Sequence, residues 1–292
     1  MHKDFKQILD DHKLTCEWLS KQGFRVSVGR LQEYLKLIEE LVQNYDEGEF
    51  EEINKKLGAH LNSLYEASEM AIIAKAFIDS EPPGLRGKML DIVRGTNAYL
   101  SENVSSSNKA RNTAFEVLVG ARFKLAEYNV DFPHLADARV IFDNKEILIQ
   151  CKRPSSFKQL HKNITDARRQ LKASYRGPNR SRRLGMIAID ISKLVNPEFN
   201  LLVSESEDSI GDRLSEITIG FIKKHLQAKY TQIGAKNLGI LIRYSGIALN
   251  RKENIYTYCQ FYSLMSTSAI GSPNDQIINS MVERLGHHND NA

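Results

Sequence analysis

The chain is poor in the residues that mark several protein classes. Its 292 residues hold three cysteines, Cys16, Cys151 and Cys259. They are odd in number and far apart, which argues against a disulfide framework or a zinc cluster. Seven prolines and seventeen glycines exclude a collagenous or linker-dominated chain, and there is no internal repeat. No segment reaches about 18 uncharged apolar residues, the length a membrane-spanning helix needs. The opening stretch "MHKDFKQILDDHKL" is too charged for a signal peptide. The expectation is a soluble, cytoplasmic protein with no membrane partner. An apolar fraction of 41% is enough for a sizeable core.

The net charge of +4 is unevenly spread. Residues 1–100 carry 13 Lys/Arg against 17 Asp/Glu, so the remainder holds +8. Such asymmetry suggests an acidic part and a part meant for an anionic partner. The first hundred residues have helical periodicity: Phe5, Ile8, Leu9, Cys16 and Leu19, then Leu31, Tyr34, Leu35, Ile38, Leu41 and Val42. A third helix is expected over about 50–78 and a shorter one over about 88–101, after the breaker "DSEPPGLRG". The division expected is an α-helical domain over 1–105, for assembly or partner binding, and a second domain over 106–292. In the second, helix, hairpin, helix, strand, helix, strand, strand argues for a mixed α/β sheet flanked by helices. The expected strands lie near 137–142, 146–152, 184–191, 238–244 and 255–263, with helices near 208–229 and 274–285.

The stretch "ADARVIFDNKEILIQCKRP" (136–154) carries the chemistry. If Asp143-Asn144 forms a two-residue turn, Phe142 pairs with Lys145, and Asp137 then falls opposite Gln150. Alternation along a strand puts Gln150 and Lys152 on one face and Ile149 and Cys151 on the other. A carboxylate, an amide oxygen and a lysine would thus lie side by side. Hydrolysis of a phosphodiester needs an activated water and a stabilised leaving oxygen, which Mg²⁺ held by oxygen ligands can supply. Asp137 is the expected main ligand, with Gln150 and the Cys151 backbone carbonyl beside it. Lys152 is placed to contact the scissile phosphate.

Asp137, Gln150-Cys151-Lys152 and Glu116 on the preceding helix together resemble the PD-(D/E)xK, or restriction endonuclease-like, nuclease superfamily. Residues 108–191 also fit its order of helix, three strands, helix and strand. In that superfamily the helix glutamate, here Glu116, often reaches the metal or its water. "LAD" replaces the usual Pro-Asp, and Gln150 stands where the second acid is usual, a Gln-x-Lys variant resembling that of the Mrr-type restriction enzymes. The resemblance implies an Mg²⁺- or Mn²⁺-dependent DNA endonuclease, in bacterial or phage defence, with RNA as the other substrate. It implies Glu116, Asp137, Gln150 and Lys152 as the catalytic set and Glu116, Asp137, Gln150 and the Cys151 carbonyl as metal ligands. Two other readings stand beside it. One is a nucleic-acid-binding protein on a nuclease fold that no longer cuts, with Gln150 as its mark. The other is a scaffold subunit working through residues 1–105, by homo-oligomerisation or by binding a partner protein.

From Lys152 to Arg183 the chain has eleven Lys/Arg and a single acid, Asp166. Lys158, Lys162, Arg169, Lys172 and Arg176 follow helical spacing and form one stripe. Arg153, Arg180, Arg182 and Arg183 extend it. A surface that only aids solubility mixes its signs, so these nine residues are the expected nucleic-acid contacts. "GLRGK" (84–88) lacks the length and the Ser/Thr of a phosphate-binding loop and reads as a turn. Cys151 should point into the core, and His161 reads as structural.

Overall fold

The computed structural model describes residues 3–95, 108–176, 180–230 and 234–287. The first part is helical: α1 Phe5–Lys21, α2 Arg30–Glu47, α3 Phe50–Lys55, α4 Leu57–Phe77 and α5 Leu85–Val93, preceded by a two-residue strand β1, Lys3–Asp4. Asp4 caps α1 through a capping box with Gln7, which satisfies free N–H groups at the helix start. The single helix expected over 50–78 is two, and the one expected over 88–101 ends at Val93, its remainder lying largely outside the described residues. From His60 to Met70 α4 is buried all round, as befits a helix enclosed by others.

The second part follows as α6 Asn108–Leu125, β2 Asn129–Asp131, β3 Ala138–Phe142, β4 Lys145–Lys152, α7 Phe157–Ser174, β5 Arg183–Asp190, α8 Ser192–Val195, β6 Leu202–Ser204 and α9 Glu207–Phe221. A π-helical segment, Ile222–Gln227, and the short α10, Ala228–Tyr230, continue α9. The chain ends in β7 Asn237–Asn250, β8 Ile255–Ser266 and α11 Pro273–His287. The strands form one mixed sheet in the order β1-β8-β7-β5-β4-β3-β2, with β6 on the far half of β7. The β4, β5 and β7 centre is parallel, and the pairs on its flanks are antiparallel. This is the mixed α/β sheet flanked by helices that the element order implied. The short strands β1, β2 and β6 were not foreseen.

Two apolar layers cover the sheet. Ile147, Ile149 and Cys151 of β4 face a core with Phe115, Leu118 and Val119 of α6, and that core also takes in Trp18, Tyr34 and Phe77. Leu148 faces the opposite layer, with Leu160, Ile164 and Leu171 of α7 and Ile210 and Leu214 of α9. A third cluster joins Phe5, Ile8 and Leu64 to Ile247 and Tyr258 of the sheet. The N-terminal helices therefore pack on the same sheet that carries the hairpin. Gly185 on β5 shows how close the α7 layer lies, since a Cβ there would collide with the Tyr175 hydroxyl.

Candidate active site

The hairpin turn sets the geometry. Asp143 adopts φ 50°, a left-handed conformation that Asp and Asn tolerate better than most residues. Phe142 pairs with Lys145 and the register runs unbroken to Ala138 opposite Ile149. One step further, the Asp137 N–H donates to the Ile149 carbonyl at 3.0 Å, so the regular pairing ends at Ala138 and Asp137 bulges against Ile149 rather than continuing the ladder to Gln150. Its carboxylate Oδ2 accepts the Cys151 backbone N–H at 2.7 Å. The Lys152 ammonium lies 3.9 Å from the same oxygen. Asp137 is thus fixed at the exit of β4 by a main-chain donor on one side and a cation on the other.

Glu116 approaches from α6, on the other face of the sheet. Burial comes first among the causes that raise its pKa, the nearby Asp137 charge second; Lys88 and Lys152 oppose them. Two carboxylates close enough to repel one another are the arrangement that a hard divalent cation relieves. Lys88, at present, does part of that work by pairing with Glu116 Oε2. The residue comes from the segment that read as a turn. It is positioned by Gly84, which caps α5 at φ 84° and where a Cβ would strike the Phe132 carbonyl. The Phe132 N–H in turn donates to the Pro83 carbonyl at 2.9 Å. The start of α5 is therefore docked on the loop before β3, and Lys88 projects one turn later toward Glu116, with its Nζ 5.8 Å from the Phe132 ring centre. No sequence pattern signals this lysine, because its role depends on a contact between two distant loops.

Gln150 is 4% exposed, lies two residues before Lys152 on β4 and pairs with Ile187 of β5. Among the described residues no hydrogen bond to its side chain occurs. Cys151 faces the α6 layer, and burial pushes its thiol well above its ordinary pKa, so it is inert there. Among the described residues, no three His, Cys, Asp or Glu side chains converge as a metal-binding group. The acids brought together at the end of β4 are the Asp137 and Glu116 carboxylates. Oxygen donors of this kind suit Mg²⁺ better than a soft metal.

The chain just after the site is anchored from behind. Arg153 Nε lies 3.4 Å from Asp190 Oδ2 at the end of β5. Arg243 of β7 reaches the same Asp190 oxygen at 3.2 Å and Glu69 of α4 at 2.6 Å, and it donates to the Tyr258 hydroxyl. Beside it, Glu66 of α4 holds Arg111 of α6 at 2.5 Å and Arg30 of α2 at 3.2 Å. Burial alone would raise the Glu66 and Asp190 pKa values, but the surrounding guanidiniums hold both below their ordinary range. This buried network ties the N-terminal helices to the residue that follows Lys152. Arg153, expected to contact nucleic acid, is thus built into the network.

The other expected contacts divide in two. Lys158, Lys162, Arg169, Lys172, Arg176, Arg180 and Arg182 are exposed on α7 and the loop that follows it. Arg183 is instead held by Glu146 at 3.1 Å and by the carbonyls of Ser174 and Arg176. Arg169 pairs with Asp166 at 3.0 Å, in the open. The sequence signal missed here is Arg168, also exposed. Comparison of the chain with protein-family models, with curated proteins and with solved structures found no match. No helix among the described residues is long and apolar enough to cross a membrane.

Proposed function

We propose that the chain is a restriction endonuclease-like, Mg²⁺- or Mn²⁺-dependent nuclease that hydrolyses phosphodiester bonds in DNA. The observation carrying this reading is the grouping of Asp137, Lys152, Glu116 and Lys88 at the end of β4, beside the exposed basic face of α7. Asp137 and Glu116 would hold the divalent ion, with the Gln150 amide oxygen and the Cys151 carbonyl as further donors. When bound, the ion would acidify the attacking water and offset charge on the leaving oxygen. The chain's own groups then divide the remaining work. The Cys151 N–H keeps the Asp137 carboxylate oriented. Lys152, 3.9 Å from the Asp137 carboxylate, would contact the scissile phosphate and stabilise its growing charge. Lys88 favours the ionised form of Glu116 against the pull of its buried setting. The α7 lysines and arginines hold the flanking phosphates by charge, without reading sequence. Use in phage or bacterial defence, and cooperation with a partner or a second copy through residues 1–105, belong to the same proposal.

The test is metal binding and cutting in one preparation. Calorimetric titration with Mn²⁺ should show a site that Asp137→Asn weakens by at least about tenfold, the loss of one hard ligand. Duplex cleavage should fall in parallel. Equal metal affinity and equal cleavage in wild type and variant would remove Asp137 from the site. Gln150 supplies an oxygen but no charge, which favours one other reading, a nucleic-acid binder without hydrolysis. Salt-sensitive DNA binding with no cleavage in any metal would select it.

A further inference from the structure

The side of α7 turned toward the π-helical segment carries a second feature that the stripe does not include. Phe157 is 45% exposed. Its ring centre lies 4.6 Å from that of His225 and 6.2 Å from that of Phe221, with interplanar angles of 34° and 21°. One turn along α7, Lys229 Nζ donates to His161 Nε2 at 3.2 Å. That leaves the proton on His161 Nδ1, which donates to the Tyr230 hydroxyl at 2.9 Å. Burial and then positive neighbours lower both imidazole pKa values: Lys229 acts on His161, and Lys224, His161 and Lys229 act on His225. Every charged group acting on the two rings is basic. Lys223, Lys224 and Lys229 are exposed, as are Lys158, Lys162 and Arg168 across from them.

Packing like charges around a half-open aromatic ring costs stability unless something anionic covers them. A ring stack beside cations matches a polymer of alternating phosphates and flat bases. π-helical segments, which interrupt an otherwise regular helix, recur at functional sites. Here His225 lies within Ile222–Gln227 and against Phe157. Phe157 follows Lys152 by five positions, a span of at most about 18 Å, so this surface lies near the candidate active site.

We infer that the Phe157–His225 stack, with Lys224, Lys229 and Lys158 around it, is a binding site for an unpaired nucleotide of a single-stranded nucleic acid. The base stacks on Phe157 and its flanking phosphates are held by the lysines. A strand threaded along this wall would lead to Lys152. The inference deepens the nuclease proposal and rests on it only for the strand's path to the site; binding is tested without metal.

Fluorescence anisotropy in EDTA would compare a single-stranded oligothymidylate with a duplex, each about 20 nucleotides long. Phe157→Leu keeps an apolar side chain against Phe221 but offers no π-face, and Phe157→Tyr restores one. The expected result is a loss of about tenfold or more in single-strand affinity for Phe157→Leu, within about twofold of wild type for Phe157→Tyr, with duplex affinity unchanged. Lys224→Ala with Lys229→Ala should reduce the slope of log affinity against log salt by about 1.4, two phosphate contacts on a single strand. Single-strand binding by Phe157→Leu equal to wild type overturns the inference, as does an equal loss for single strand and duplex. Absence of cleavage with these binding differences intact would refute the nuclease reading alone.

Discussion

Glu66→Gln isolates the contribution of the buried network that holds the sheet to the N-terminal helices. Glu66 is 3% exposed and has Arg111 and Arg30 at 2.5 and 3.2 Å. The substitution keeps the shape and one acceptor oxygen but removes the negative charge between two buried guanidiniums. Leaving a buried charge uncompensated costs about 3–5 kcal/mol. The retained amide oxygen puts the expectation at the lower end, about 3 kcal/mol. With a urea m-value of about 3 kcal/mol/M, the midpoint should fall by about 1 M. Replacing Arg30, Glu66 and Arg111 together by methionine should recover most of the loss, because removing all the charges also removes their desolvation cost. Urea unfolding followed by far-ultraviolet circular dichroism gives both numbers. A midpoint shift under about 0.3 M for Glu66→Gln would show that water already solvates these groups, and the picture of a buried brace would be wrong.

Further outcomes follow from the same geometry. The Glu66 and Asp190 pKa values are depressed in the fold, so their stabilisation is complete above the unfolded carboxylate range near about 4 and is lost as pH falls through the folded values. Acid unfolding of Glu66→Gln should accordingly be shallower than that of wild type in urea titrations at pH values below about 4. Glu116 is the opposite case, its pKa raised. It must lose its proton to bind a metal, so cleavage should climb with pH through that raised value, and Lys88→Met should move the acid limb of the pH–rate profile upward. An unmoved limb would separate Lys88 from the chemistry. Gly84→Ala combines left-handed strain with a collision against Phe132 and should cost about 1–3 kcal/mol. It should also lower cleavage by displacing Lys88, whereas Gly87→Ala, where a Cβ meets open space, should do neither.

The hairpin was legible because its information is local. A two-residue turn fixes register, so the pairing from Phe142–Lys145 to Ala138–Ile149 could be counted from the sequence, while the next step, Asp137 opposite Gln150, is interrupted where the Asp137 N–H turns to the Ile149 carbonyl. The basic face of α7 was legible by helical spacing for the same reason. What escaped is long-range. Glu66 and Glu69 sit on α4, which is enclosed, and both acids pair with arginines from α2, α6 and β7. Lys88 becomes a neighbour of Glu116 only through the docking of Gly84 on Phe132. The strand expected near 238–244 is longer, β7 running on through Ser245 and Gly246 to Asn250. The Ser245 hydroxyl is satisfied there by Tyr65 at 2.9 Å and Ser192 at 3.2 Å. The π-helical segment hid inside a helix that periodicity expected to be continuous over 208–229.

The central claim, that the end of β4 cuts nucleic acid, is tested most directly with supercoiled plasmid in Mg²⁺, Mn²⁺ and EDTA, wild type beside Lys152→Ala, with DNA binding measured for both. Nicking by the wild type should require the metal and vanish in Lys152→Ala, with binding retained within about threefold, since Lys152 would be one phosphate contact among several. Plasmid left intact by the wild type in both metals, or cut equally well by Lys152→Ala, would contradict that claim.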